Sequence, residues 1–219
     1  MKFHSSSENY LNSIKNYKRK CLNSLEMNSM IKELLAKILS IIFAPPTFSS
    51  LLVLIATINE KTSFPKVHTF LIGLIALTIA PYLSVIFMVI LKKDSISVPE
   101  RKNRTFHLIY GLINYFFFFM LFSLIEIKFL ALFSLTYLIN TFLIMVINQY
   151  MKPSIHISGC IGPMILLNYL YKIDIYYLIL FLFLIAWARI YLKKHTSKEI
   201  IAAAIITVVG TIASIILFY

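Results

Sequence analysis

The sequence predicts an all-α fold: a polytopic transmembrane bundle of about seven spans, behind a polar N-terminal tail. Three observations predict it. Apolar residues make up 59% of the 219 positions, against roughly 45–50% in soluble domains. They are gathered into seven long runs separated by short polar stretches, and one helical crossing of a bilayer needs about 20 apolar residues. The runs show no two-residue alternation, and lipid offers no partner to unpaired backbone groups, so each run should be a helix.

The elements follow in order. Residues 1–33 form the tail, rich in Ser, Asn and Lys, with no apolar core of a cleavable signal peptide; it is expected to become helical near Ile31. The membrane-embedded domain occupies 34–219. Its first run, about 38–58, contains Pro45-Pro46, which should kink the helix because proline lacks an N–H and crowds the preceding turn. The other runs are about 67–91, 108–125, 129–147, 155–170, 175–190 and 200–219. The fifth is short and holds Gly159, Gly162 and Pro163. Asn140, Asn148 and Asn168 are candidates for hydrogen bonds between helices, one of them in a substrate cleft.

A net charge of +12 in a soluble protein would suggest nucleic acid. Here the basic residues lie between apolar runs and no aromatic and basic surface is interleaved, so membrane topology explains them and nucleic acid is excluded. Cys21 and Cys160 have neither metal-ligand spacing nor a disulfide framework. No metal and no cofactor is expected.

Three polar stretches, 92–107, 150–158 and 189–198, follow the second, fourth and sixth runs. An even number of crossings separates them, so all three lie on one membrane face. Charge predicts which. The tail and the few residues between it and the first run hold Lys2, Lys15, Lys18, Arg19, Lys20, Lys32 and Lys37; the stretches add Lys92, Lys93, Arg101, Lys102, Arg104, Lys152, Arg189, Lys193, Lys194 and Lys198. Only Lys61, Lys66, Lys128 and Lys172 remain for the opposite face. The positive-inside bias puts tail and stretches in the cytoplasm, at the inner membrane of a bacterium.

These stretches carry the chemistry. Arg189 and His195 are six residues apart and would point about 240° apart on one continuous helix. They converge only if the sixth run ends between them. Glu199, four residues after His195, can share a helix face with it, orient the ring and stabilise its charged form; Thr196-Ser197-Lys198-Glu199 is equally a capping box. Lys152-Pro153-Ser154-Ile155-His156 stands at the start of the fifth run. Ser154 is a good N-cap, the free N–H groups of a helix N-terminus suit a phosphate, and His156 beside them can donate a proton to a leaving group. Arg101 and Arg104 fall on one helix face, where two guanidiniums can grip one phosphoryl group. Lys152, Arg101 and Arg104 also read as ordinary topology charges.

Together the stretches resemble the type 2 phosphatidic acid phosphatase and haloperoxidase superfamily, over roughly 35–219. The family's Pro-Ser-Gly-His appears as Pro153-Ser154-Ile155-His156. Its Ser-Arg-x5-His-x3-Asp appears as Ala188-Arg189-x5-His195-x3-Glu199. Its first motif, Lys-x6-Arg-Pro, has no literal match, and Arg101-x-x-Arg104 takes its place in the order. The resemblance implies a lipid phosphatase. His195 would be the nucleophile, forming a phosphohistidine. His156 would be the acid and Glu199 the orienter. Arg189, Arg101, Arg104, Ser154 and Lys152 would surround the phosphoryl oxygens. The implied partner is a phosphorylated lipid: phosphatidic acid, phosphatidylglycerol phosphate or an isoprenyl diphosphate. Two other uses stay open: a haloperoxidase-like pocket with vanadate, and a non-catalytic binder or transporter of phosphorylated lipid.

Overall fold

The computed structural model describes residues 27–91 and 101–219, except for a few side chains, that of Arg101 among them. All regular structure among the described residues is helical. The helices are α1 (Met27–Ile42), α2 (Pro45–Asn59), α3 (Lys66–Leu74), α4 (Ala80–Ile90), α5 (Arg101–Leu124), α6 (Lys128–Asn148), α7 (Ile155–Tyr171), α8 (Ile175–Tyr191) and α9 (Ser197–Phe218). Four stretches are long and apolar enough to cross a membrane: Lys66–Phe87, Arg104–Leu124, Lys128–Asn148 and Ser197–Phe218. The pair α1 and α2, bent by 43°, makes a fifth. The apolar helices at Ile155–Tyr171 and Ile179–Tyr191 are shorter. By length and composition the described residues thus carry four or five candidate spans, against about seven apolar runs in the sequence.

Proline accounts for the irregular joints. The kink expected at Pro45-Pro46 is a full break: Phe43 and Ala44 leave the helix and Pro45 starts α2, a position where its missing N–H costs nothing. Helicity begins by Met27, four residues before the expected Ile31. Between α3 and α4 a π-turn spans Ile75–Ile79. Pro81 cannot donate, and its ring crowds the carbonyl of Leu77. Asn114 of α5 donates to the carbonyl of Ala76 at 2.9 Å, satisfying an acceptor the turn disturbs.

The ends are capped by their own sequence. Asp174 accepts from the Tyr176 N–H at the start of α8. Thr196 and Glu199 form a complete capping box at the start of α9. Lys172 adopts a left-handed conformation after α7, where Asn168 donates to the carbonyl of Ile173 at 2.9 Å. Asn168 therefore closes a local turn and does not join two helices.

Hydroxyl and amide pairs tie the bundle together. α6 packs between α5 and α9, and α7 packs against α9 and α2. Thr136 meets Ser214 at 2.7 Å, Asn140 donates to Thr211 at 3.0 Å, and Ser158 meets Thr207 at 2.6 Å. Such pairs contribute about 0.6 kcal/mol each in membranes, where lipid gives helices no hydrophobic reason to associate. Gly159 lets α7 approach α2: a Cβ there would lie 2.6 Å from Pro45 Cβ. One apolar cluster, with Phe122, Leu130, Phe133 and Leu166, fills the end of the bundle where α5 finishes and α6 begins. A second, with Phe48, Ile157, Met164 and Ala203, underlies the other end. There the start of α5, the end of α6, the start of α7, the end of α8 and the start of α9 meet.

Candidate active site

The three polar stretches come together at that end. Arg104, at the start of α5, donates to Asn148 Oδ1 at the end of α6, 3.4 Å away. The N–H of Ser154 donates to the carbonyl of Glu199 at 3.4 Å, joining the starts of α7 and α9. His195 Nδ1 lies 3.2 Å from the carbonyl of Lys152 and 3.4 Å from Glu199 Oε2. Arg104, His156, Arg189 and His195 line one cavity of about 190 Å³. That exceeds the roughly 150 Å³ of an engineered cavity that admits benzene, so a phosphoryl group and the first atoms of its ester fit. The rest of the lining is mixed: Pro81, Tyr82, Leu108, Tyr115, Ile144 and Pro163 are apolar or aromatic, while Thr136, Asn140 and Thr141 are polar.

Arg189 and His195 converge because the helix ends between them. α8 stops at Tyr191, Lys193 takes a left-handed backbone with φ 53°, and the N–H groups of Lys194 and His195 both turn back to the carbonyl of Arg189. This reversal is usual at helix C-termini, though glycine normally fills the left-handed position. A lysine there costs about 1 kcal/mol of backbone strain. Ala188, where the family pattern has serine, is fully buried.

The Nδ1 contacts of His195 decide its tautomer. Both neighbours are acceptors, so Nδ1 carries the hydrogen and Nε2 keeps its lone pair. Burial, then the charges of Arg189 and Arg104, lower the ring's pKa from 6.5 to about 4, with Glu199 opposing them. The ring is therefore a neutral base at neutral pH, a suitable state for a nucleophile. Glu199 does two jobs with one carboxylate: Oε2 accepts from the Thr196 N–H at 2.9 Å, completing the capping box, and faces His195.

Positive charge is concentrated here, and Glu199 is the acidic side chain that acts on Arg104, Lys152 and His195. Arg104 is 4% exposed and Arg189 7%, and among the described residues neither has a carboxylate partner. Arg189 donates to Ser40 Oγ at 2.7 Å, a neutral acceptor like Asn148. The Nε of each arginine and the hydroxyl of Ser154 are buried with no hydrogen-bond partner among the described residues. Burying an ion costs several kcal/mol without a counter-charge. Two such guanidiniums line one cavity, and guanidiniums carry fork-like donors of the geometry that suits phosphate.

Ser154 does hold the N-cap position of α7. Its side chain makes no capping bond, contrary to expectation, and stays fully buried. Ile155 follows as the first helical residue with an ordinary backbone angle, which is why a branched residue is tolerated where the family pattern has glycine. His156 lies on the first turn of α7, half-buried and facing the cavity. Lys152 contributes its carbonyl to His195; burial and then Arg104 lower the pKa of its ammonium. Arg101 opens α5, and its side chain lies outside the described residues.

Two site residues escaped the sequence reading in part. Asn148 was marked only as a helix-joining amide; it is the neutral partner of Arg104. Ser40 was absorbed into the first apolar run. It is buried, and its hydroxyl accepts from Arg189. The only signal was a lone serine among Ile38, Leu39, Ile41 and Ile42. The chain matches no protein-family model, no curated protein and no solved structure.

Proposed function

We propose that this chain is an integral membrane phosphatase that hydrolyses a lipid phosphate monoester or an isoprenyl diphosphate through a phosphohistidine on His195. The observation that carries this reading is the meeting of two buried, unpaired arginines with a histidine whose Nδ1 faces Lys152 O and Glu199. In the proposed reaction, His195 Nε2 attacks phosphorus and the phosphorus–oxygen bond to the lipid breaks. His156, protonated once the negative charge of the phosphate enters the site, gives that proton to the departing oxygen. Arg104, Arg189 and the Ser154 hydroxyl hold the three equatorial oxygens as charge shifts among them, with Arg101 beside them. Water, giving its proton to His156, then attacks the phosphohistidine and releases inorganic phosphate. The residues need no metal for this sequence.

In this reading the chain crosses the membrane about seven times, and six of the crossings form the phosphatase core. The short helices α7 and α8 count as crossings because their polar ends are gathered at the site. The excess of basic residues places the tail and the site on the cytoplasmic side of a bacterial inner membrane. The lipid tail enters between helices toward Tyr82 and Leu108, which line the cavity.

Protein purified in detergent is expected to release phosphate from such lipids with chelator present, and His195→Ala to lower the rate by at least a thousandfold, the scale of removing a nucleophile. Full activity in the variant would assign the attack to another group. Ala188 and Ile155, the departures from the family pattern, favour a second reading, a binder that keeps the fold. Acid-labile phosphate trapped on His195 excludes it.

A further inference from the structure

Helix α1 has an unusual surface. Met30, Ile31, Leu34, Leu35, Ile38 and Ile41 are 41–73% exposed. At about 100° per residue they occupy one arc of about 140°. Diametrically opposite, Ala36 and Ser40 are buried against the protein. Exposed Lys32 and Lys37 flank the arc, Lys37 paired with Glu33 at 2.7 Å. This pattern differs from that of α9, which is apolar on nearly every side beyond its first turn.

The helix also leaves the bundle at the site end. Its last turn is level with the cavity, since the Phe43 carbonyl faces Cys160 and Pro45 abuts Gly159. From there it runs outward along the end of α8: Ser40 meets Arg189, and eleven residues earlier the Ser29 carbonyl accepts from the Tyr191 hydroxyl at 3.2 Å. The 43° bend keeps it off the axis of α2. Just upstream the sequence carries Lys15, Lys18, Arg19 and Lys20, four positive charges in six positions. An amphipathic helix with an exposed apolar face and a neighbouring basic cluster is the arrangement that binds anionic lipid surfaces.

We propose that α1 docks obliquely into the headgroup region of the anionic leaflet beside the site, and that Ser40 passes this contact to Arg189. The apolar arc enters the acyl boundary, and Lys32 and Lys37 at its edges meet acidic headgroups. Ser40 is then a positioning residue: it touches no substrate, yet it holds the Arg189 guanidinium. The docking stands on α1 alone; the coupling rests on the phosphatase reading.

The test uses the full chain in nanodiscs of phosphatidylcholine, with or without phosphatidylglycerol, in a Cys21→Ser background. A fluorophore is placed in turn at Met30→Cys, Leu34→Cys, Ile38→Cys and Lys32→Cys. Nitroxide lipids labelled near the headgroup should quench the three arc positions, Ile38 most deeply, and Lys32 least. Phosphatidylglycerol should strengthen the quenching at Met30. Equal, water-like emission at all four overturns docking. So does energy transfer between copies without lipid quenching, which would make a second chain the occupant. For the coupling, Ser40→Ala should raise KM severalfold more than it lowers kcat, and Ser40→Thr should restore both. Unchanged kinetics in Ser40→Ala would overturn the coupling. Should the wild type release no phosphate, the quenching profile still decides the docking.

Discussion

His195 shows how one side chain is prepared by its neighbours. Its folded pKa of about 4 lies below the ordinary 6.5. The unfolded chain therefore binds more protons between these values, and stability falls as pH drops through that window. The same shift keeps the ring unprotonated over the whole neutral range. Glu199 is the one charge that raises it. Glutamine also completes a capping box, so Glu199→Gln separates the two jobs of this residue. We expect the acid limb of kcat/KM to move to lower pH than in the wild type, kcat to fall at least tenfold and thermal stability to be kept. Glu199→Ala should lose about 1 kcal/mol more in stability with the cap. Substrate ionisation is common to both proteins, so the displacement between their pH profiles reports on the enzyme. An acid limb that did not move would dissociate Glu199 from His195.

At the scale of elements, the site depends on how closely α7 approaches α2. Gly159 has Pro45 Cβ, Cγ and Cα all within 3.1 Å of where its own Cβ would stand. Neither the proline ring nor the backbone can yield. Gly159→Ala should therefore push α2 away from α7, at a cost of about 1–3 kcal/mol for overpacking. Pro45 lines the cavity and is joined through Ala44 and Phe43 to α1, so activity should fall further than stability explains. Gly111 is the control: nothing lies closer than 3.6 Å to its Cβ position, so Gly111→Ala should cost little. Denaturation in mixed micelles and activity measured on the same samples compare the two. The meeting of Arg189 with His195 is also a property of an element. It follows from where α8 stops, and Lys193 marks the stop.

At the scale of the molecule, the distribution of positive charge orients the site in the proposed reading. Seventeen of the 21 Lys and Arg residues belong to the tail, the few residues after it and the three polar stretches. Ser197 is exposed at the start of α9, two residues from His195. With cytoplasmic orientation, a membrane-impermeant thiol reagent should label Ser197→Cys only in inverted vesicles or permeabilised cells. Labelling in intact cells would place the site outside. The two apolar clusters divide the work of the bundle. The one around Phe122 and Phe133 fills the far end, while the one around Ile157 and Met164 supports the start of α7 beneath the site. The buried arginines and His195 gather at the end where five helix termini meet, while hydroxyl and amide pairs run on through the bundle.

The sequence by itself determined the helices, the breaks at proline and the capping box of Thr196 and Glu199, because each depends on residues within a few positions of one another. Counting seven crossings led to one face for the three polar stretches; the structure has four or five candidate spans and gathers the described parts of those stretches at one end of the bundle. Only the tertiary structure decided what those stretches become. Ser40 lies 149 positions from Arg189 and Asn148 lies 44 from Arg104, and no periodicity links residues so far apart. The same holds for the lone hydroxyl of Ser154: the sequence makes it a cap, and packing leaves it buried and unbonded. Local patterns come from the geometry of one helix, whereas a site assembled from five helix ends comes from how those helices pack.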